Sequence, residues 1–156
     1  MKSIMAIIQQ IACAICHSTT KPKPKIELLS MPSEDVKSEI AGLKLLYPTL
    51  LDYFQPYYYT KAEDWAEVLD YIYFKFDMPK YLAAKMDCED FGILLKGLVS
   101  SFFGLNYFGV VFGNTPAGYH GYNVFRTEKG LLQLEPQTGN IGELGEGSYK
   151  AEYILL

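Results

Sequence analysis

The chain has 156 residues, 49% of them hydrophobic, 15% aromatic and 21% charged, with a formal net charge of −4. A chain of this length suits one domain able to bury roughly two thirds of its unfolded surface, and the apolar content excludes intrinsic disorder while remaining too interrupted for a long membrane span. The acidic balance, with no basic stripe to neutralise a run of phosphates, excludes nucleic acid as the expected partner.

In residues 1–18, Ile4, Ile7, Ile8, Ile11 and Ile15 recur at helical spacing with Gln9 and Gln10 opposite, which predicts an amphipathic helix. Lys2 ahead of the apolar run leaves a secretory or lipoprotein leader as the alternative. The helix implies a cytoplasmic chain, the leader an exported or lipid-anchored one. Lys21-Pro22-Lys23-Pro24-Lys25 cannot continue a helix, because proline lacks the amide donor and pushes its predecessor to extended geometry. Residues 1–25 are therefore expected to form a helix or leader with a Lys/Pro tether, and residues 26–156 the main domain.

Beyond the tether, Val36, Ile40, Leu43 and Tyr47 repeat helically after the acidic start Ser33-Glu34-Asp35, with Pro48 as the stop. An aromatic loop follows, in which Tyr53, Phe54, Tyr57, Tyr58 and Tyr59 are expected to line a groove for peptide or sugar or to pack as core and rim. Thr60-Lys61-Ala62-Glu63 is a capping-box pattern for a second helix with the stripe Trp65, Val68, Leu69, Ile72 and Phe76. Asp87 is expected to cap a third, with the face Phe91, Leu94, Leu95, Leu98 and Phe102, closed by Gly104. From Leu105 the period changes to that of strands, giving Asn106–Phe112, Tyr119–Arg126 and Leu131–Glu135, then a glycine-rich loop through Gly139, Gly142, Gly145 and Gly147, and a last strand Tyr149–Leu155. Helices first and a sheet afterwards predict an α+β domain, N-terminal helices packed on an antiparallel sheet.

Three cysteines, Cys13, Cys16 and Cys88, are too few for a disulfide scaffold, and the odd number leaves a thiol free. Cys13-Ala14-Ile15-Cys16-His17 matches the attachment pattern for c-type haem, but the flanking residues form one short helix, and zinc would need a fourth ligand with no obvious source. Incidental cysteines, a redox pair or a lipidation site are the other readings of that cluster.

Cys88 falls in the first turn of the third helix, among unpaired amides at the positive end of the dipole, where thiolate is favoured over thiol and an oxyanion can be held. Asp87, Glu89 and Asp90 around it argue against a merely buried small hydrophobe. Of the two histidines, His120 begins a strand after a glycine-containing loop and is the expected base and acid for that thiol. If Glu128 and Lys129 make the turn, Thr127 pairs with Gly130, His120 falls opposite Gln137 and Tyr122 opposite Glu135, all four on one sheet face, so that Glu135 can accept the ring hydrogen of His120. Gln55 and Gln137 are the candidate oxyanion donors.

At Asp87-Cys88-Glu89-Asp90-Phe91, Tyr119-His120-Gly121-Tyr122-Asn123 and Leu134-Glu135-Pro136-Gln137, in that order, the chain resembles the transglutaminase-like cysteine peptidase superfamily, and most closely its bacterial transglutaminase-like cysteine proteinases. The resemblance spans roughly Trp65 to Gln137. It implies a papain-like or transglutaminase-like core, a catalytic domain over 26–156, and a Cys-His-acid triad carried onto Cys88, His120 and Glu135, attacking a peptide or isopeptide bond through a thioester. Two departures are Glu135 where aspartate is common and Gly121-Tyr122 where a small residue and tryptophan are common. By the same resemblance Asp87, a supporting candidate, and Glu89 are possible calcium ligands, although helix capping accounts for both and no cofactor is required. The expected protein is thus a thiol hydrolase acting on protein or peptide. The alternatives are a catalytically silent peptide- or glycan-binding module of the same fold, and a haem-carrying redox protein.

Overall fold

The computed structural model describes residues 21–116, 118–145 and 149–156. The helix or leader over 1–18 and the Cys13, Cys16 and His17 cluster, with its haem, zinc, redox and lipidation readings, lie outside the described residues. Among the described residues, three helices, α1 (Ser33–Gly42), α2 (Ala62–Lys75) and α3 (Cys88–Phe103), are interspersed with eight strands: β1 (Leu29–Met31), β2 (Tyr47–Thr49), β3 (Tyr57–Tyr59), β4 (Phe108–Thr115), β5 (Gly118–Thr127), β6 (Gly130–Glu135), β7 (Asn140–Glu143) and β8 (Lys150–Leu155).

The first helix buries Val36 and Ile40, one turn apart on the expected face. It stops at Gly42, short of Tyr47, because Lys44 turns the chain with a φ of 55° and the next residues go to a sheet edge. There Tyr47 pairs with Tyr153 and its ring stacks on that ring at 4.9 Å. The capping box foreseen at Thr60 does not form: the Thr60 hydroxyl donates to the Glu27 carbonyl at 2.6 Å, and Lys61 is the N-cap with no side-chain cap bond. The orphan amide of Ala62 donates instead to the carboxylate of Glu128, 66 residues along, at 2.8 Å. At α3 the cap is local and reciprocal between Asp87 and Asp90, and Gly104 ends the helix with a φ of 70°, where a Cβ would be strained.

Six strands form one sheet in the order β2-β8-β4-β5-β6-β7, while β1 and β3 pair separately. The pairs β4/β5, β5/β6, β6/β7 and β4/β8 are antiparallel, and β2 joins β8 in parallel at one edge. The hairpin register has Thr127 opposite Gly130 and Asn123 opposite Leu134, as the two-residue turn requires.

Because side chains alternate along a strand, the sheet has two differently covered faces. Phe108, Phe125 and Leu134 point to α2 and α3, where Trp65 packs 4.8 Å from Phe125 and 5.6 Å from Phe108 and donates its indole N–H to the Arg126 carbonyl at 2.7 Å. Tyr107, Val111, Tyr122, Val124 and Ile154 point the other way, toward Val36, Ile40 and Tyr57. Glu39 of α1 is tied to that face by the Tyr107 hydroxyl at 2.5 Å and Arg126 at 3.0 Å. The buried face of α3 is Phe91, Gly92, Leu95, Val99 and Phe103, rotated from the expected stripe, because Gly92 lets the helix sit so close to β4 that a Cβ there would meet Val110 at 3.0 Å.

The expected α+β core, papain-like or transglutaminase-like with its helices grouped ahead of an antiparallel sheet, is therefore corrected. Strands run the length of the chain, the main sheet is mixed, and β1, β2 and β3 occupy stretches read as connectors or loop. Their pairing partners are distant in sequence, so local periodicity did not show them. The Lys/Pro tether lies against the helices: Lys21 pairs with Asp70, and the Lys23 ammonium sits 4.9 Å over the Phe103 ring.

Candidate functional site

The candidate residues gather where β5 and β6 meet the start of α3. The glycine at position 121 permits this meeting, since a Cβ there would stand 3.3 Å from the Glu89 nitrogen, 3.4 Å from the Cys88 carbonyl carbon and 3.2 Å from the Phe112 ring. The strand backbone thus rests directly on the first turn of α3, and the Gly121 amide donates to the Cys88 sulfur.

His120 and Glu135 are in direct contact, Nε2 to Oε2 at 2.6 Å, with 22% and 17% of their side chains exposed, so the pair is shielded enough to matter energetically. The other carboxylate oxygen of Glu135 accepts the Gln137 amide at 3.3 Å. Hydrogen bonding to Glu135 holds the His120 imidazole above its ordinary pKa, against a smaller opposing effect of burial.

Cys88 is wired differently. Its thiol donates to the Glu89 carboxylate at 3.2 Å, and among the described residues no hydrogen bond joins it to His120. Burial pushes the thiol pKa up, the Gly121 amide pulls it down, and the adjacent Glu89 carboxylate raises it further. Gly121 faces α3, and the next residue, Tyr122, points to the opposite face of the sheet. Cys88 and His120 do border one hollow of about 420 Å³, with Glu89, Ile93, Phe112, Tyr119 and Gly121.

The remaining candidates divide. Asp87 accepts the Ala84 amide at 3.1 Å and takes part in the α3 cap, which occupies it. With Glu89 given to the thiol, the described residues contain no cluster of three or more metal-ligating side chains. Gln137 is exposed beside Glu135, and Gln55 is exposed in the β2–β3 connection and borders neither the Cys88 hollow nor the cavity at Tyr122. The aromatic cluster splits as well, Tyr57 fully buried and Phe54 86% exposed, with Lys37 lying 3.6 Å over Tyr53.

On the far side of the His120–Glu135 pair lies a second cavity, of about 330 Å³, which the sequence did not suggest. Its walls are Gln133, Glu135, Thr138 and Asn140, and its aromatic surfaces are Tyr122 and Tyr149, whose rings meet edge to face at 5.2 Å. The hydroxyl of Tyr122, a fully buried residue, has no hydrogen-bond partner among the described residues. Burial and the neighbouring Tyr149 push its pKa up to about 12. One signal was available: Gln133 and Glu135 alternate on β6, which marks a polar stripe on one sheet face. Asn140 was hidden because β7 reads as part of a glycine loop.

No family model matches the chain, and no curated protein does. Solved structures do. One, described as a PSL1a–E64 complex, has a TM-score of 0.65 at 22% identity. Another, Polyporus squamosus lectin bound to the human-type influenza-binding epitope Neu5Aca2-6Galb1-4GlcNAc, has a TM-score of 0.65 at 21% identity. In each case 82% of this chain is covered and 50% of the other, so the chain spans half the length of the solved chains it resembles. The likeness shows a shared fold. Neither structure is described as a transglutaminase-like cysteine peptidase, and the expected membership of that superfamily is corrected accordingly. The expected hydrolase or thiol protease, with its catalytic triad and its acyl-enzyme on Cys88, finds no support in that likeness, and the thiol is hydrogen-bonded to a carboxylate and raised in pKa. The expected protein or peptide substrate has no support. Among the described residues, no helix is long and apolar enough to cross a membrane.

Proposed function

We propose that the chain is a catalytically silent carbohydrate-binding module, with its sugar site in the cavity at Tyr122. The observation that carries this reading is a cavity in which the polar side chains of Gln133, Glu135, Thr138 and Asn140 stand beside the rings of Tyr122 and Tyr149 and the apolar Leu134 and Ile141. Gln133, Thr138 and Asn140 offer both donors and acceptors, as a ring bearing several hydroxyls needs, and Tyr149 offers an apolar ring edge. A volume of about 330 Å³ is at the small end of ligand sites and suits one terminal sugar. In this reading His120 is a positioning residue that holds the Glu135 wall, and Cys88 stands outside the sugar site. The glycan named with the lectin structure is a reason to test sugars here.

The test is calorimetric titration with a panel of neutral and sialylated mono- to trisaccharides. We expect binding by at least one sugar, weakened at least tenfold in Tyr149→Ala under conditions where circular dichroism shows the variant folded. Absence of binding across the panel at millimolar sugar overturns the proposal. The silent half of the reading is checked with iodoacetamide and with E64, named with one matched structure. Slow Cys88 labelling that His120→Ala leaves unchanged supports it, whereas rapid labelling well below pH 8 that His120→Ala abolishes overturns it.

A further inference from the structure

Resting on the sugar-binding reading, we infer that the cavity at Tyr122 takes uncharged sugars and turns away glycans that end in a carboxylated sugar. The sole charged side chain among the described residues lining it is Glu135, and that charge is negative. The His120 ring beside it is already engaged by Glu135 at 2.6 Å and is not free to receive a second carboxylate. Gln133, Thr138, Asn140 and Tyr122 are uncharged in the working pH range, the last because burial pushes its hydroxyl up to about 12. A ligand carboxylate entering this space therefore loses its water without meeting a cation, and it faces a like charge at short range. A neutral ring meets none of these costs. The formal charge of −4 on the whole chain adds a long-range repulsion of the same sign.

The experiment compares neutral sugars (galactose, N-acetylglucosamine, mannose and Galb1-4GlcNAc) with sialic acid and Neu5Aca2-6Galb1-4GlcNAc, by titration calorimetry at low salt. The best neutral sugar is expected to bind at least tenfold more tightly than either sialylated ligand, and the gap is expected to narrow in high salt. Asn140→Lys, at an exposed residue of the rim, is expected to raise affinity for the sialylated trisaccharide several-fold, and Glu135→Gln to narrow the gap from the other side. Should Glu135→Gln fail to fold, Asn140→Lys carries the test alone. Equal or tighter binding of the sialylated ligand, with neutral sugars also bound, overturns the charge selection and leaves the sugar site standing. No binding by any of them overturns both.

Discussion

The two hollows on either side of the His120–Glu135 pair contain very different chemistry. The one at the α3 start holds the side chains that attract attention in a sequence, a thiol and an imidazole, yet each is bonded elsewhere: the thiol to Glu89 and the Gly121 amide, the imidazole to Glu135. The one at Tyr122 is lined, among the described residues, by amide, hydroxyl and carboxylate side chains beside two tyrosine rings, with no thiol or imidazole. Residue type marks what a site is able to do, and unspent hydrogen-bonding capacity marks where a ligand has something to gain.

The contrast breaks most severely at Gly121, where both hollows depend on β5 resting on α3. Gly121→Val places carbon within 3.3 Å of the Glu89 nitrogen, and such overpacking is expected to cost about 1–3 kcal/mol in chemical unfolding. The same variant is expected to lose sugar affinity, since His120 and Tyr122 flank the displaced residue.

Removing the brace between the hollows comes next. His120→Gln is expected to destabilise the fold by about 1–2 kcal/mol at about pH 6, as a charge-assisted hydrogen bond is lost. The folded-state pKa of His120 is raised, chiefly by Glu135. The contribution is therefore complete below the unfolded value of about 6.5 and disappears as pH climbs through the folded value. Unfolding curves of both proteins at about pH 6 and about pH 9 should show the gap closing at the higher pH. A constant gap would mean that the ring acts through packing alone.

A smaller effect of opposite sign is expected at the sugar cavity. Tyr122→Phe removes a buried hydroxyl that has no partner among the described residues, so stability should hold or rise by up to about 1 kcal/mol. The smallest is at the thiol. Cys88→Ser should leave glycan binding unchanged in titration, because the sulfur borders only the other hollow.

Much of this molecule is readable from its residues. The α2 stripe of Trp65, Val68, Leu69 and Ile72, the Asp87 cap, the Gly104 stop and the hairpin pairing of Thr127 with Gly130 all follow from local rules, each involving groups within a few residues or one turn of one another. The same register arithmetic put Glu135 within reach of His120, and they meet. The end of α1, the Thr60 cap and strands β1, β2 and β3 were illegible, because their partners are Lys44 geometry, Glu27, Glu128 and β8, none of which a local window contains.

By itself the sequence determined the local elements and the order in which a thiol, an imidazole and a carboxylate appear along the chain. Only the tertiary structure decided which of them touch. The thiol and the imidazole border one hollow, yet the thiol bonds to Glu89 and the imidazole to Glu135. The cavity at Tyr122 exists because β7 and the segment at Tyr149 close over β5 and β6, a meeting of residues separated by up to 27 positions, from Tyr122 to Tyr149, that no periodicity records.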